Sequence, residues 1–379
     1  MKNQEEYFGT GSISNLRKIL ERTEAKKIFL VSGKKSFELS GAGKIFRNRF
    51  SDFEFEIFND FGIIPEVKSV ITGIERFRNS GSDCIVAVGG GNVIDTAKAV
   101  NILSFQELNP EEYITGKSEL TDSGKYFIAV PTTSGSGSEA THFAVVYNGK
   151  KKFSLSDESI LPDCSIIDPE LTLNLPSEIT AISGMDALSQ SIESFWSVNS
   201  TEESRSYSEE AIKLVFENLT SAVCNPDIRN RTEMSKASNL SGKSINITKT
   251  TAPHAISYSM TSEFGIPHGQ AVSITLGEFF VYNSGVSDKD ITDPRGTAFV
   301  KENFGKLLNI MKCRSSDEAK NKIKNLMKSI KLKTTLKELG ISEDFQINFI
   351  SDNVNTERLR NNPRSVTRDE LRNLLGKIK

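Results

Sequence analysis

Histidine is scarce in this chain, with 3 in 379 residues, and so are cysteine, with 4, and tryptophan, with 1. A charge of one sign is missing too: 47 basic and 49 acidic residues leave a net −2 at pH 7. That balance argues against a general nucleic-acid or membrane-surface binder, whose footprint is a basic excess. No stretch approaches the roughly 18 uninterrupted apolar residues of a membrane span, so none is expected. The opening residues, MKNQEEYFGTGSI, hold no apolar core of a secretion signal, and a cytoplasmic protein is expected. Cys84, Cys164, Cys224 and Cys313 stand far apart with no CxxC pair. This counts against a disulfide framework and a cysteine zinc site, and buried free thiols are expected.

What is present is the composition of a soluble globular protein, 37% hydrophobic and 25% charged, long enough for two domains with their own cores. In the first half, short apolar runs alternate with helical patterns. The spacing predicts strands over 27–31, 53–58, 83–88 and 126–130, with helices over 67–79 and 93–103. Strand, loop and helix in alternation imply a parallel α/β sheet. After Leu175-Pro176 the pattern changes. Residues 177–196, 202–219, 232–247 and 271–282 read as helix, and the Lys/Glu/Leu-rich stretch from Ser316 continues in that style. The expected organisation is an α/β domain over 1–176 and an all-α domain over 177–379.

The first half carries two glycine-bearing segments, each after a predicted strand. In Gly89-Gly90-Gly91-Asn92-Val93-Ile94-Asp95-Thr96-Ala97-Lys98, a strand runs into three glycines and then a helix. Glycine lets backbone amides approach an anion closely, and the helix N-terminus adds partial positive charge, which is chemistry for a pyrophosphate. Pro131 to Glu139, PTTSGSGSE, places hydroxyls and glycines after the next clear strand, where open α/β sheets bind ligands. Ser241-Gly242-Lys243-Ser244 imitates the end of a nucleoside-triphosphate loop. The upstream glycine is absent, since position 237 is Ala, and the segment lies in a helical pattern.

In the second half, Asp186 and Gln190 are four apart on one predicted helix and share a face. His254 opens another helix, and His268 stands between Pro267 and Gly269. His142, in the first half, has no such company and reads as structural or as lining a cleft.

Over nearly its whole length the chain resembles the group III, or iron-containing, alcohol dehydrogenases. GGGNVIDTAK and PTTSGSGSE, about 40 residues apart, look like their paired cofactor motifs, and DCSIIDP (163–169) has a counterpart there. The resemblance implies a dinucleotide-binding domain followed by a metal- and substrate-binding one. It implies Gly90, Gly91 and Asn92 on the pyrophosphate, with Asp95 of the same motif also among the cofactor-binding residues. Thr132 and Thr133 would lie at the nicotinamide end, and Lys152 would reach the ribose. Family members preferring NAD tend to carry an acidic residue after the first long strand. Here stand Gly33, Lys34 and Lys35, which favours NADPH and leaves NADH open.

The family binds Fe2+ or Zn2+ through an Asp and a His four apart and two later His. Asp186, His254 and His268 match three of these positions, while Gln190 replaces the fourth histidine with a weaker, neutral oxygen donor. Where many members have a further His as proton relay, this chain has Tyr258, a phenol able to donate and accept a proton. The catalytic set implied is Asp186, His254, His268 and Tyr258.

The implied activity is reduction of an aldehyde to a primary alcohol. The segments around DALSQSIESFWS and TKTTAPHAISY look most like the phosphonoacetaldehyde reductase branch, whose product is 2-hydroxyethylphosphonate. Lys243, Lys249, Thr250 and Thr251 precede His254 and offer cations and hydroxyls to a phosphonate. Two readings stand beside this one: a broad alcohol dehydrogenase for propanal, butanal or lactaldehyde, and a non-catalytic nucleotide binder with an eroded metal site. A lyase of the dehydroquinate synthase type fits the motifs less well. The only partner expected beyond the small substrate is a second copy of the chain, as a homodimer or larger oligomer.

Overall fold

The computed structural model describes residues 3–62 and 64–379. Met1 and Lys2, which open the stretch read as lacking a signal core, lie outside them. The chain divides into two compact units, Met1–Pro176 with Asp227–Ser235, and Ser177–Pro226 with Lys236–Lys379.

Among the described residues the first unit holds eight strands: β1 (Glu5–Phe8), β2 (Lys27–Ser32), β3 (Glu54–Phe58), β4 (Cys84–Gly89), β5 (Phe127–Pro131), β6 (Phe143–Asn148), β7 (Lys151–Ser156) and β8 (Cys164–Ile167). Six of them form one sheet in the order β1-β8-β5-β4-β2-β3, parallel at every pairing. β6 and β7 form a separate antiparallel hairpin, turning through Gly149 at φ 58°, where glycine has no Cβ to obstruct. The helices of this unit are α1 (Asn15–Arg22), α2 (Ser36–Leu39), α3 (Ala42–Arg49), α4 (Val67–Ser80), α5 (Gly91–Leu103) and α6 (Pro110–Ile114).

The continuous apolar runs of β2, β4 and β5 have a direct cause. Successive side chains point to opposite faces, and both faces are covered. Phe29, Val31, Ile85, Ala87, Phe127 and Ala129 pack with Val70 and Ile74 of α4 and Val100 of α5. Ile28, Leu30, Val86, Val88 and Val130 pack with Leu16 and Ile19 of α1 and Phe46 of α3. Burial of each large side chain contributes about 1.5–3 kcal/mol against chain entropy.

From β2 the chain moves outward to β3, then returns to the other side of β2 as β4. The connections therefore diverge between the carboxyl ends of β2 and β4, the position where open α/β sheets hold ligands. Gly33 follows β2 and the Gly89-Gly90-Gly91 turn closes β4, so these two sets of predicted cofactor residues border this point.

In the second half of the chain follow α7 (Ser177–Trp196), α8 (Glu202–Cys224), α9 (Ile228–Thr248), α10 (Ala252–Phe264), α11 (His268–Ser284), α12 (Thr297–Ile310), α13 (Ser316–Ser329), α14 (Asp344–Asp352), α15 (Thr356–Leu359) and α16 (Arg368–Gly376). The second unit is helical, with one isolated bridge, Ile291 to Arg364, among the described residues. Its centre is aromatic: Trp196 stacks on Phe304 at 5.7 Å and meets Phe280 edge-on at 6.0 Å.

The structure departs from the sequence reading in several places. Asp227–Ser235, placed with 177–379 by the helical pattern, clusters with the first unit. There Arg231 Nη2 donates to the Leu175 carbonyl at 3.1 Å, and the Ser134 and Ser235 hydroxyls lie 3.1 Å apart. The expectation of four buried thiols is corrected: all four cysteines are free, but Cys224 is exposed, because it ends α8 at the surface. No helix among the described residues is long and apolar enough to cross a membrane.

Candidate metal centre and dinucleotide cradle

α7 is buried along most of its length, yet it carries Asp186, Gln190 and Glu193 inward. Spacings of four and three put these polar groups on one face, an arrangement a buried helix sustains only where partners await them. α10 begins at Ala252 with Pro253 in its first turn, which seats His254 there, and it ends at Gly265 in the left-handed region (φ 66°). Pro267 then precedes α11, whose first residue is His268. A Cβ on Gly269 would lie 2.1 Å from the Ile182 carbonyl oxygen of α7, so glycine is what lets α11 start against the helix that carries Asp186.

Asp186, His254 and His268 converge, with their donor atoms all within 4.8 Å of one another. Asp186 Oδ1 lies 3.4 Å from His254 Nε2 and 3.9 Å from His268 Nε2. Donors about 2.1 Å from a shared tetrahedral ion stand about 3.4 Å apart, so the spacing fits one divalent metal. His254 Nε2 is buried and has no hydrogen-bond partner, which is the condition of a nitrogen placed to ligate. Two imidazoles and one carboxylate suit Fe2+ or Zn2+.

The other side of His254 is fully committed. Its Nδ1 lies 2.6 Å from Glu193 Oε1, while Glu193 Oε2 accepts from the Thr251 backbone N–H at 2.6 Å and the Thr251 hydroxyl at 3.0 Å. Trp196 Nε1 donates to the Thr251 oxygen at 2.9 Å, so the network reaches the aromatic core. Burial disfavours charge on the imidazole, but Glu193 and Asp186 outweigh it and push the His254 pKa up to about 10. An ion on Nε2 would take the place of that proton, leaving Nδ1–H on Glu193.

Gln190 lies on the second oxygen of Asp186: its Nε2 donates to Asp186 Oδ2 at 3.3 Å, and its Oε1 accepts from the Ser241 hydroxyl at 2.9 Å. The Tyr258 ring stacks on His268 with centroids 6.5 Å apart, and Ser257 Oγ is 3.4 Å from His268 Nδ1. Of the residues proposed for substrate, Lys243 is half-buried in α9. Lys249 follows that helix with φ 58°, a left-handed conformation costly for a residue with a Cβ. Thr250 is buried, and its carbonyl accepts from Asn361 Nδ2 at 2.9 Å. His142, outside the donor cluster, packs edge-on against Phe143.

In the first unit, Thr132 N–H donates to the Gly89 carbonyl at 2.9 Å and ties the two glycine-bearing segments together. A Cβ on Gly91 would meet Ser136 Oγ at 2.6 Å, and one on Gly90 would meet Thr133 at 3.2 Å. The glycines thus serve close loop packing as well as backbone access at the α5 N-terminus, where Asn92 is exposed. Asp95 points into the fold: Ser138 Oγ donates to it closely, and the Val145 N–H donates at 3.0 Å. Burial pushes the Asp95 carboxyl up, opposed first by Lys98 and, more weakly, by Lys152 of β7. Lys98 is buried and donates to the carbonyls of Ser138 (2.6 Å), Thr141 (2.7 Å) and Phe143 (3.0 Å), and burial pulls its pKa down to about 8. Gly33 is half-buried, and Lys34 is exposed with its Nζ 2.7 Å from Asp60 Oδ1.

Residues 3–169 match the model of the iron-containing alcohol dehydrogenases, and residues 180–378 match that of the family's C-terminal region. The chain belongs to the iron-containing alcohol dehydrogenase family. Within it, the chain is 35% identical to a phosphonoacetaldehyde reductase of Streptomyces viridochromogenes over 62% of its length and 61% of the relative's. It is 29% identical to an NADPH-dependent butanol dehydrogenase of Clostridium saccharobutylicum, covering 97% of this chain and 94% of that one. Among solved structures, sulfoacetaldehyde reductase from Bifidobacterium kashiwanohense in complex with NAD+ superposes with a TM-score of 0.88 at 30% identity, covering 100% of this chain and 97% of that chain. An aldehyde-alcohol dehydrogenase of Entamoeba histolytica, 32% identical, is a longer protein, and the match spans 32% of it.

Glu193 was not singled out in the sequence, and Thr251, expected to offer its hydroxyl to substrate, instead donates it to Glu193, while the roles of Ser241 and Lys98 as buried hydrogen-bond partners were not read from their motifs. Glu193 offered a signal: it lies seven residues after Asp186, hence on the same helical face, in a helix otherwise rich in buried residues.

Proposed function

We propose that this iron-containing alcohol dehydrogenase reduces a small aldehyde to a primary alcohol with a nicotinamide dinucleotide as hydride donor. The convergence of Asp186, His254 and His268 carries the reading, because it supplies the carboxylate and two imidazoles a divalent ion needs. Such an ion, when bound, polarises the carbonyl oxygen as a Lewis acid. The dinucleotide, when bound, gives a hydride to the carbonyl carbon, and a proton must reach the oxygen. Gly90, Gly91 and Asn92 present backbone groups to the pyrophosphate, with Thr132, Thr133 and Lys152 on the rest of the dinucleotide. Asp95 is the scaffold that holds the Ser138 turn and β6. Tyr258, stacked on His268, is the proposed proton carrier. NADPH is the preferred donor, since Gly33 puts no carboxylate after β2.

The proposed substrate is phosphonoacetaldehyde, giving 2-hydroxyethylphosphonate, in a cytoplasmic homo-oligomer. The 35% identical relative supports it, as do Lys243, Lys249 and Thr250 ahead of His254. Sulfoacetaldehyde is the second reading, favoured by the whole-chain similarity to a reductase of that aldehyde. Both are two-carbon aldehydes ending in an acidic oxyanion. A broad dehydrogenase for propanal, butanal or lactaldehyde would need no cation. The test compares kcat/KM for phosphonoacetaldehyde, sulfoacetaldehyde and propanal in the unaltered chain and in Lys249→Ala. The reading expects KM for the phosphonate to rise at least tenfold, with propanal unaffected. Equal effects on both would overturn the anion assignment.

A further inference from the structure

Gln190 stands where the family has a metal-binding histidine, and its surroundings give it a different task. The side chain is 4% exposed and lies one turn beyond Asp186 on α7. Both ends of its amide are used. Nε2 donates to Asp186 Oδ2, the oxygen opposite the one that faces the two histidines, and Oε1 accepts from Ser241, itself 0% exposed in α9. A reversed amide would set its carbonyl dipole against an ionised carboxylate, whereas the observed one makes a charge-assisted hydrogen bond.

We propose that Gln190 is a positioning residue and not a ligand. It braces Asp186 through Oδ2 so that Oδ1 faces the ion, and Ser241 locks the amide in the orientation that does so. The inference rests on the metal reading of the site. Its consequence is a centre of three protein donors, with more of the ion's coordination sphere open to substrate and water than a fourth imidazole would leave.

The experiment is Co2+ titration of the metal-stripped full chain against a competing chelator, read by affinity and by the visible spectrum of the bound ion, which reports its ligands. Gln190→Ala, or Gln190→Leu should the smaller side chain prevent folding, is expected to lose ten- to a hundredfold in affinity with the spectrum unchanged. Gln190→His is expected to gain affinity and alter the spectrum, because an imidazole adds a ligand. A spectrum altered by Gln190→Ala or Gln190→Leu would overturn the proposal while leaving the metal centre standing. Failure of the unaltered chain to bind Co2+ in a manner dependent on Asp186 and His254 would sink both.

Discussion

His254 Nδ1 lies 2.6 Å from Glu193 Oε1, and this contact decides which way the imidazole faces. With Nδ1 held by a buried carboxylate, Nε2 is left to look toward Asp186. Glu193→Gln keeps the shape and removes the charge. It should cost ten- to a hundredfold in metal affinity, measured by chelator competition, with Glu193→Ala costing more. An unchanged affinity in Glu193→Ala would mean that the contact does not orient the ligand.

Metal uptake should depend on pH through His254. Its pKa in the metal-free fold is pushed up to about 10, above the ordinary imidazole value. The group is therefore protonated at neutral pH, and an ion must displace that proton from Nε2. Affinity should rise with pH from 7 toward 10, by up to tenfold per unit for one proton released. The stability linked to the same group runs the other way in the metal-free protein: it is full below the unfolded pKa of about 6.5 and is lost as pH rises through about 10. Calorimetric proton release on metal binding at pH 7.5 checks both, and release of no proton from His254 would count against them.

Gly269 should tolerate nothing larger. Gly269→Ala places a methyl 2.1 Å from the Ile182 carbonyl, a rigid backbone atom, so α11 must move. The expected cost is about 1–3 kcal/mol in unfolding free energy, with weaker metal binding because His268 moves too. A chain of unchanged thermal midpoint and metal affinity would show that α11 is not held against α7 at this point.

Cofactor preference should turn on Gly33. A Cβ there meets only the movable Ser36 hydroxyl closely, at 2.3 Å, so Gly33→Asp should fold. A carboxylate at that position bonds a ribose hydroxyl and repels a 2′-phosphate. The ratio of kcat/KM for NADPH over NADH should fall at least tenfold. A constant ratio would place the 2′ position elsewhere.

Much of this was legible before the fold was known. Three histidines in the whole chain made His254 and His268 conspicuous, and their spacing from Asp186 matched a known pattern. The unbroken apolar runs over 84–88 and 126–130 announced buried parallel strands. What sequence could not reveal were partnerships across distance. Lys98 stands in the sequence only as the end of the glycine-rich motif, and in the fold three carbonyls 40 or more residues away close around it. The hairpin of β6 and β7 was missed because Lys150, Lys151 and Lys152 mask its alternation, and β1 because it is a four-residue edge strand. Helix starts at Gly91 and His268 were set late because glycine and histidine are weak helix formers, and there position in the fold overrides propensity.

The central claim is that Asp186, His254 and His268 form a metal site on which aldehyde reduction depends. The most direct measurement is NADPH oxidation with phosphonoacetaldehyde by the chelator-stripped protein, before and after Fe2+ or Zn2+ is returned, beside Asp186→Asn and His254→Ala under the same conditions. The account predicts turnover that vanishes on stripping, returns with metal in the unaltered chain, and does not return in either variant. Full turnover by the stripped protein, or by the two variants, would contradict it.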